Sequence, residues 1–280
     1  MRVIDILNLT DDGMLDLRYC PITLEPGSRI QDFHIENADM SGAKFGCLIL
    51  KNSLFQNCRF DKALFDTFNE RSCRFENVSF RCVEFVNAGI GLHCSIYREV
   101  DFSDADLRDT SFYTPQFMSC TFDKTKLSRV DFSASNFVDC RFVGKLKTVW
   151  FNKYYRFPKD EEMFGKAPTN DMRNVDFTHA ALWDVMFTGG LDLSTIKLPA
   201  DGSHMLVKRF DLVMERIARE LDVFPEQDRM NLEMWIEILT KCARTQQMDI
   251  INKVEITNHL GKEAGLLFLD KVVRYNSVLN

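Results

Sequence analysis

The sequence predicts a mainly β solenoid followed by a small all-α unit, because an apolar step of five residues later gives way to a helical period. Every fifth residue from Ile30 to Ile90 is apolar except Glu70, and the step continues without a miss from Phe102 to Phe142. On an α-helix or a flat strand, a step of five does not keep side chains on one face. Only a chain that turns a corner once per repeat points every fifth side chain inward, which is typical of a solenoid.

The inward side chains form a predicted ladder of stacked Phe and Leu residues. Each buried Phe or Leu contributes about 1.5–3 kcal/mol relative to exposure. A small residue such as Ala38, Cys58 or Ala105 stands two positions before each of several ladder residues and leaves room for the wall to turn inward. The predicted ladder is Phe45, Phe55, Phe60, Phe65, Phe75, Phe80, Phe85, Phe102, Leu107, Phe112, Phe117, Phe122, Leu127, Phe132, Phe137, Phe142, Phe177, Leu182 and Phe187.

Changes in this pattern divide the chain into three predicted parts. Residues 1–27 precede the regular step and are predicted to cap the solenoid, whose end would otherwise expose strand edges. The repeats occupy 28–199 and are interrupted by a loop insertion at about 152–173. Residues 200–280 form the C-terminal helical unit, which would be only marginally stable alone and is therefore expected to dock on the solenoid end.

The helical unit is recognised by apolar residues three and four positions apart. Ser203 is the expected N-cap of its first helix. The predicted helices run from about 203 to 221, 228 to 247, 248 to 259 and 262 to 277.

The insertion is the candidate contact site for a partner, because long insertions in repeat arrays form loops that often bind. The alternative is that its aromatic side chains fold back on the solenoid or on the helices. The candidate partner-binding residues are Tyr154, Tyr155, Phe157, Asp160, Glu161 and Glu162.

Three further irregularities break the step of five. Glu70 stands at a ladder position with Phe68 at the small position, so we expect this repeat to be distorted or flipped, with the carboxylate not left unpaired inside. Glycines around Gly91 predict a bulge between Ile90 and Phe102. The ladder after Phe142 is expected to fall one residue out of step before the insertion.

The repeat unit reads as a small residue, an often polar or acidic residue, Phe or Leu, and two variable positions. Residues 38–42, 105–109, 130–134 and 175–179 show it most plainly. This unit resembles that of the pentapeptide-repeat proteins, over about residues 28–198. The resemblance implies a right-handed quadrilateral β-helix in which four pentapeptides make one square coil. Recurrent Asn two positions after the ladder residue fits a corner with unusual backbone angles.

Composition excludes several classes of partner. The formal net charge is −6, from 35 Lys and Arg against 41 Asp and Glu, which gives no case for direct binding to nucleic acid or to an anionic membrane. The N-terminus has no signal-peptide pattern and no stretch is apolar enough to span a membrane. We therefore expect a cytoplasmic protein.

The sequence also lacks the motifs of an enzyme. It has no P-loop, no nucleophile elbow and no zinc-ligand spacing, so we expect no catalytic residue, no cofactor and no metal site. The five His residues share no motif. Cys58, Cys73, Cys120 and Cys140 occupy small positions of the repeat and are expected to be reduced packing residues.

Two functions are compatible with these features. The first is a non-enzymatic scaffold that binds a protein partner through the solenoid walls, the insertion and the helical tail. The second follows from the resemblance alone: some pentapeptide-repeat proteins of bacteria are acidic dimers that mimic DNA, bind topoisomerases such as gyrase and protect them from drugs or toxins. The apolar stripe of the tail is expected either to dock within the chain or to form a homodimer through the C-terminal helices.

Overall fold

The computed structural model is a four-sided parallel β-solenoid of about six turns with a helical region after it. The sides are called faces one to four in the order in which the chain visits them. A regular turn takes 20 residues, as the pairing of Phe55 with Phe75 shows. The residues described are 9–19, 21–23, 29–108, 110–155, 157, 159–167, 171–243 and 246–279.

Face one carries the longest sheet, in which neighbouring strands of successive turns are parallel. The last three strands also run around corners from the preceding faces, so β17 (Thr121–Asp123) on face three joins the same sheet. The strands of face one are β3 (Arg29–Gln31), β7 (Ile49–Lys51), β10 (Asn69–Arg71), β13 (Gly89–Leu92), β15 (Ser111–Tyr113), β18 (Leu127–Ser133), β20 (Arg141–Asn152) and β21 (Asp176–Thr188).

The other faces carry shorter parallel sheets. Face three is held mainly by isolated bridges that connect successive turns, besides the pair β1 (Leu15–Asp16) and β5 (Ala38–Asp39). Face two contains β4 (His34–Glu36), β8 (Leu54–Gln56), β11 (Arg74–Glu76), β14 (Ile96–Arg98), β16 (Gln116–Met118) and β19 (Asn136–Val138). Face four contains β2 (Pro21–Thr23), β6 (Lys44–Gly46), β9 (Leu64–Asp66) and β12 (Glu84–Val86).

The corners explain the recurrent asparagines. Asn37, Asn57 and Asn77 have φ of 52°, and Asn tolerates this left-handed region better than most residues. Their side chains also form a ladder, in which the Asn57 amide donates to Asn37 at 3.2 Å and the Asn77 amide donates to Asn57 at 2.8 Å. Asparagine therefore stabilises the corner both through its backbone and across turns.

The solenoid core is a set of stacked rings. Phe45 and Phe65 lie 4.6 Å apart between ring centres, and Phe102 and Phe122 lie 5.1 Å apart, both nearly parallel. These separations are close to the 4.7–4.9 Å spacing of paired strands. Each ring thus rests on the ring one turn below, and the backbone pairing sets the distance.

The C-terminal region mixes helices with one small antiparallel sheet. Its apolar core is separate from that of the solenoid and centres on Phe210, Val213, Ile217, Phe268 and Val272. No described helix has the length and apolar content needed to cross a membrane. The elements are β22 (His204–Val207), α2 (Phe210–Ala218), a 3₁₀ helix (Leu221–Val223), α3 (Glu226–Ala243), β23 (Asp249–Asn252), α4 (Lys253–Leu260) and α5 (Lys262–Val278).

Two predicted helix starts are wrong. Residues 204–207 pair with 249–252 as antiparallel strands, so the first helix begins at Phe210 and not at Ser203, and the third begins at Lys253. The pairing joins segments more than 40 residues apart, and local apolar spacing does not reveal it. Asn252 caps α4 by accepting hydrogen bonds from the backbone N–H groups of Val254 and Glu255.

Candidate functional sites at the interruptions of the repeat

The predicted ladder residues all lie inside the solenoid, none more than 6% exposed. The stacks are completed by Tyr97, Leu146 and Met172, which sequence reasoning missed, and by Phe151, which it placed one residue out of step. Tyr97 stacks on Phe75 at 4.9 Å between ring centres. Phe151 stacks on Phe132 at 5.3 Å, so the expected slip before the insertion does not remove it from the ladder. Aligning each turn with the one below, and not counting in fives, would have identified these residues.

Both long interruptions of the step lie at one corner, between faces one and two. The bulge falls between Ile90 and Tyr97, and the insertion falls between Phe151 and Met172. Gly91 allows the bulge, because its φ is +86° and a Cβ there would meet Pro115 of the next turn at 2.5 Å. The corner between faces one and two therefore carries both long departures from regularity, and a shorter one, the loss of one residue, lies between Phe142 and Leu146.

Part of the insertion folds back along this corner. The Tyr155 hydroxyl donates to the Gly165 carbonyl at 2.9 Å, and the Phe164 ring lies 4.8 Å from that of Tyr113 on the solenoid. Burial raises the pKa of Tyr155 to about 12. Tyr155 thus anchors the insertion rather than presenting a free surface.

Several described side chains of the insertion are exposed. Tyr154, Phe157 and Met163 are 59%, 53% and 67% exposed. Met163 belongs to the short helix α1 (Lys159–Phe164), which has no buried residue. The predicted acidic residues Asp160, Glu161 and Glu162 form its first turn. The insertion therefore combines apolar side chains with carboxylates on one surface.

Glu70 keeps its place in the ladder, so the predicted flip of its repeat is wrong, whereas the predicted distortion is seen as a register shift between Asn69 and Arg71 in the pairing with the next turn. The residue pairs in register with Leu50 on the turn below, and its side chain is fully buried. The carboxylate accepts hydrogen bonds from the Gly91 backbone N–H, the Ser95 hydroxyl and the Tyr97 hydroxyl, the last at 2.7 Å. The bulge of the next turn supplies these donors, which is why a carboxylate is accommodated inside.

The buried carboxylate has altered acidity. Burial raises the pKa of Glu70 to about 7, although its three hydrogen bonds favour the charged form. Burial and the neighbouring Glu70 raise the pKa of Cys73 to about 12, and they raise that of Tyr97 well above its ordinary value. Both neighbours are therefore neutral at physiological pH, and Glu70 is the group that titrates.

The described cysteines are free thiols, and Cys58, Cys73, Cys120 and Cys140 are buried between the ladder stacks. Burial also raises the pKa of Cys58 and Cys120. Within the described ranges, no three His, Cys, Asp or Glu side chains come close enough to hold a metal ion.

A buried amide joins the last turn to the helical region. Gln246 accepts hydrogen bonds from the backbone N–H groups of Gly190 and Leu191, both at 2.9 Å, and donates to the Leu191 carbonyl at 2.9 Å. The Asn252 amide donates to the Leu182 carbonyl at 2.6 Å. Partly buried Leu206, Met248 and Ile250 pack on the solenoid core. The helical region therefore covers the end of the solenoid.

Comparisons with known proteins concern the repeat fold. No family profile and no curated protein sequence matches the chain. A trypsin-treated variant of QnrB1, a plasmid-mediated fluoroquinolone resistance protein, is similar at 19% identity over 72% of this chain and 92% of that chain, with a TM-score of 0.38. HetL, a pentapeptide-repeat protein involved in heterocyst differentiation regulation in the cyanobacterium Nostoc sp. strain PCC 7120, is similar at 12% identity over 61% of this chain and 83% of that chain, with a TM-score of 0.27.

At these identities the function has to be argued from the residues of this chain. The fold is shown by its own geometry, which has inward residues at steps of five, four faces and about 20 residues per turn. This chain therefore has a four-sided parallel β-solenoid fold with a C-terminal helical region, and its repeat unit resembles that of the pentapeptide-repeat proteins.

Proposed function

We propose that the protein is a non-enzymatic scaffold that binds a protein partner through the insertion at the corner between faces one and two. The observation that carries this proposal is the exposure of Tyr154, Phe157 and Met163 within ten residues of chain. Aromatic and Met side chains are enriched at protein interfaces and supply much of the binding free energy.

The anchoring of the insertion supports this role. The ring contact between Phe164 and Tyr113 holds the C-terminal end of α1 against the solenoid, and the hydrogen bond from Tyr155 to Gly165 joins the segments on either side of α1. A segment that is held before binding loses less conformational entropy when a partner docks. The exposed side chains thus belong to a segment whose conformation is restrained before binding.

The acidic first turn of α1 indicates the charge of the partner surface, although the insertion as a whole is nearly neutral, with five Lys or Arg and four Asp or Glu. Asp160, Glu161 and Glu162 lie beside the exposed apolar side chains on a helix with no buried residue. Complementary potentials guide association and select among partners. The matching surface is an apolar pocket with Lys or Arg at its rim.

The test is quantitative affinity capture from lysate of the native organism. Tyr154→Ala/Phe157→Ala/Met163→Ala is compared with the wild-type chain and with a control, Val86→Ala/Val278→Ala, which removes exposed apolar side chains elsewhere. A partner retained by the wild type and the control is expected to fall about tenfold or more with the triple variant, the loss typical of hot-spot residues. Equal retention by all three proteins would reject the insertion as the contact site.

The DNA-mimic alternative needs a continuous acidic face. On face three the charges instead alternate in sign: Arg81 pairs with Asp101 at 2.9 Å, and Lys197 pairs with Asp176 at 3.4 Å. This alternation favours the general scaffold over topoisomerase binding. A gyrase supercoiling assay with graded amounts of the protein, with and without a fluoroquinolone, decides between them, and inhibition or rescue would establish the alternative.

The homodimer stays a prediction. Most of the apolar stripe of α5, including Phe268 and Val272, is buried within the chain, whereas Leu266 and Val273 are exposed. Light scattering on the full chain measures whether this remaining face pairs with a second copy.

A further inference from the structure

The junction between the solenoid and the helical region contains an open cavity of about 600 Å³. One wall is the last part of β21, and the others are α3, β23 and α4. This volume is within the range of about 300–1,000 Å³ that small-molecule sites occupy. The cavity is open to solvent and is distinct from the insertion.

Aromatic and aliphatic side chains make up much of the lining. Trp183 comes from the solenoid and Trp235 from α3, with Val185 and Ile238 from the same two elements. The Trp235 ring is held in place by Phe268, at 5.2 Å between ring centres. Indole faces attract cations, and the Trp183 ring already has the Lys145 ammonium 5.5 Å from its centre.

Three carboxylates line the cavity: Asp184, which is exposed, and the partly buried Asp249 and Glu255. Asp249 accepts a hydrogen bond from the Ile250 backbone N–H, and Glu255 accepts one from the Asp184 backbone N–H. No Lys or Arg belongs to the lining, and within the described part of the chain neither Asp249 nor Glu255 forms an ion pair. His259 is the one lining side chain that can become positive.

The pKa values of Asp249 and Glu255 agree with the absence, among the described residues, of an ion-pair partner for these carboxyls. Burial raises the pKa of the partly buried Asp249 carboxyl to about 7. Burial also raises the pKa of Glu255. A bound positive charge would favour the ionised form of both groups.

We propose that this cavity is a binding site for a small organic cation, with an ammonium group on an aromatic or aliphatic body. The ammonium is placed by Asp249 and Glu255, and the body packs against the two tryptophans and the aliphatic lining. The site is independent of the insertion, so failure of either proposal leaves the other unaffected.

The test uses the full chain and three probes of matched shape: phenethylamine, phenethyl alcohol and 3-phenylpropionate. Calorimetry and tryptophan fluorescence report binding, because two of the three Trp residues line the cavity. The amine is expected to bind with a Kd of about 1 mM or lower, the alcohol about tenfold more weakly and the anion more weakly still. Equal affinity for the amine and the alcohol, or no binding of the amine, would overturn the proposal.

Charge-neutralising variants locate the site. Asp249→Asn and Glu255→Gln are each expected to weaken amine binding about tenfold, whereas Asp104→Asn, on an exposed solenoid corner, leaves it unchanged. If Asp249→Asn does not fold, Glu255→Gln alone still tests the site. Unchanged affinity in the folded cavity variants would reject the site, and tighter binding of the tripeptide Ala-Lys-Ala than of phenethylamine would reject a small molecule in favour of a peptide.

Discussion

Glu70 is the charged residue among the otherwise apolar positions of the inward ladder from Ile30 to Ile90. Replacing it with Gln measures how much the buried charge lowers the free energy of unfolding. The pKa of Glu70 rises from 4.5 to about 7 on folding. At 1.36 kcal/mol per pKa unit, this shift corresponds to about 3 kcal/mol. The native state binds more protons than the unfolded chain between these values. Stability due to Glu70 is therefore greatest below pH 4.5, falls as the pH rises to 7, and is constant above.

The network fits a neutral side chain as well as a charged one. A protonated Glu70 can donate to the Ser95 hydroxyl, which can turn its own proton toward the Leu92 carbonyl at 3.4 Å. The amide of a Gln at this position can donate in the same way while its carbonyl accepts from Gly91 and Tyr97. Glu70→Gln is therefore expected to match the wild type at pH 5.

At pH 8 the Gln variant is expected to be more stable than the wild type by up to about 3 kcal/mol. The assay is urea unfolding followed by circular dichroism at pH 5, 6, 7 and 8. Asp249 also has a raised pKa and contributes a pH dependence of the same sign. The variant Asp249→Asn therefore measures how much of the pH dependence of wild-type stability comes from Asp249 and not from Glu70. A difference between Glu70→Gln and wild type that does not change from pH 5 to pH 8 would refute the reasoning.

Three further perturbations test the packing. Phe132→Ala removes a ring stacked between two turns and is expected to cost about 3–5 kcal/mol in urea unfolding; a loss below about 1 kcal/mol would contradict the buried stack. Gln246→Leu leaves the last turn and the helical region without their shared hydrogen bonds, so hydrogen exchange in the helical region is expected to accelerate about tenfold or more; unchanged exchange would show that the amide does not hold the junction. Iodoacetamide should label exposed Cys82 in the native protein and buried Cys120 and Cys140 only after unfolding, whereas equal labelling would exclude their burial.

The regular part of the fold could be predicted from the sequence because its cause is local. Each repeat places one side chain inward, so the step from Phe112 to Phe117 to Phe122 already specifies three faces of a turn. The corner asparagines are equally local, since a single residue such as Asn57 adopts the left-handed conformation.

The sites depend on contacts between distant residues, and sequence spacing could not supply them. Glu70 is accommodated inside because the hydroxyls of Ser95 and Tyr97 in the next turn donate hydrogen bonds to its carboxylate. The bulge places these hydroxyls opposite the carboxylate. Similarly, the strand Asp249–Asn252 exists through pairing with His204–Val207, and local spacing there resembles a helix. The cavity at the junction combines both units and has no motif in either.

We expect the partner to contact the protein at the interruption of the repeat and not on its regular walls. Photo-crosslinking tests it most directly, with a photoreactive phenylalanine analogue placed at Met163 in the insertion or at Val86 on face four, both exposed positions. In cells of the native organism, the analogue at position 163 is expected to give a discrete crosslinked partner, and the analogue at position 86 is expected to give none. The same adduct from both positions, or an adduct from position 86 alone, would contradict this expectation.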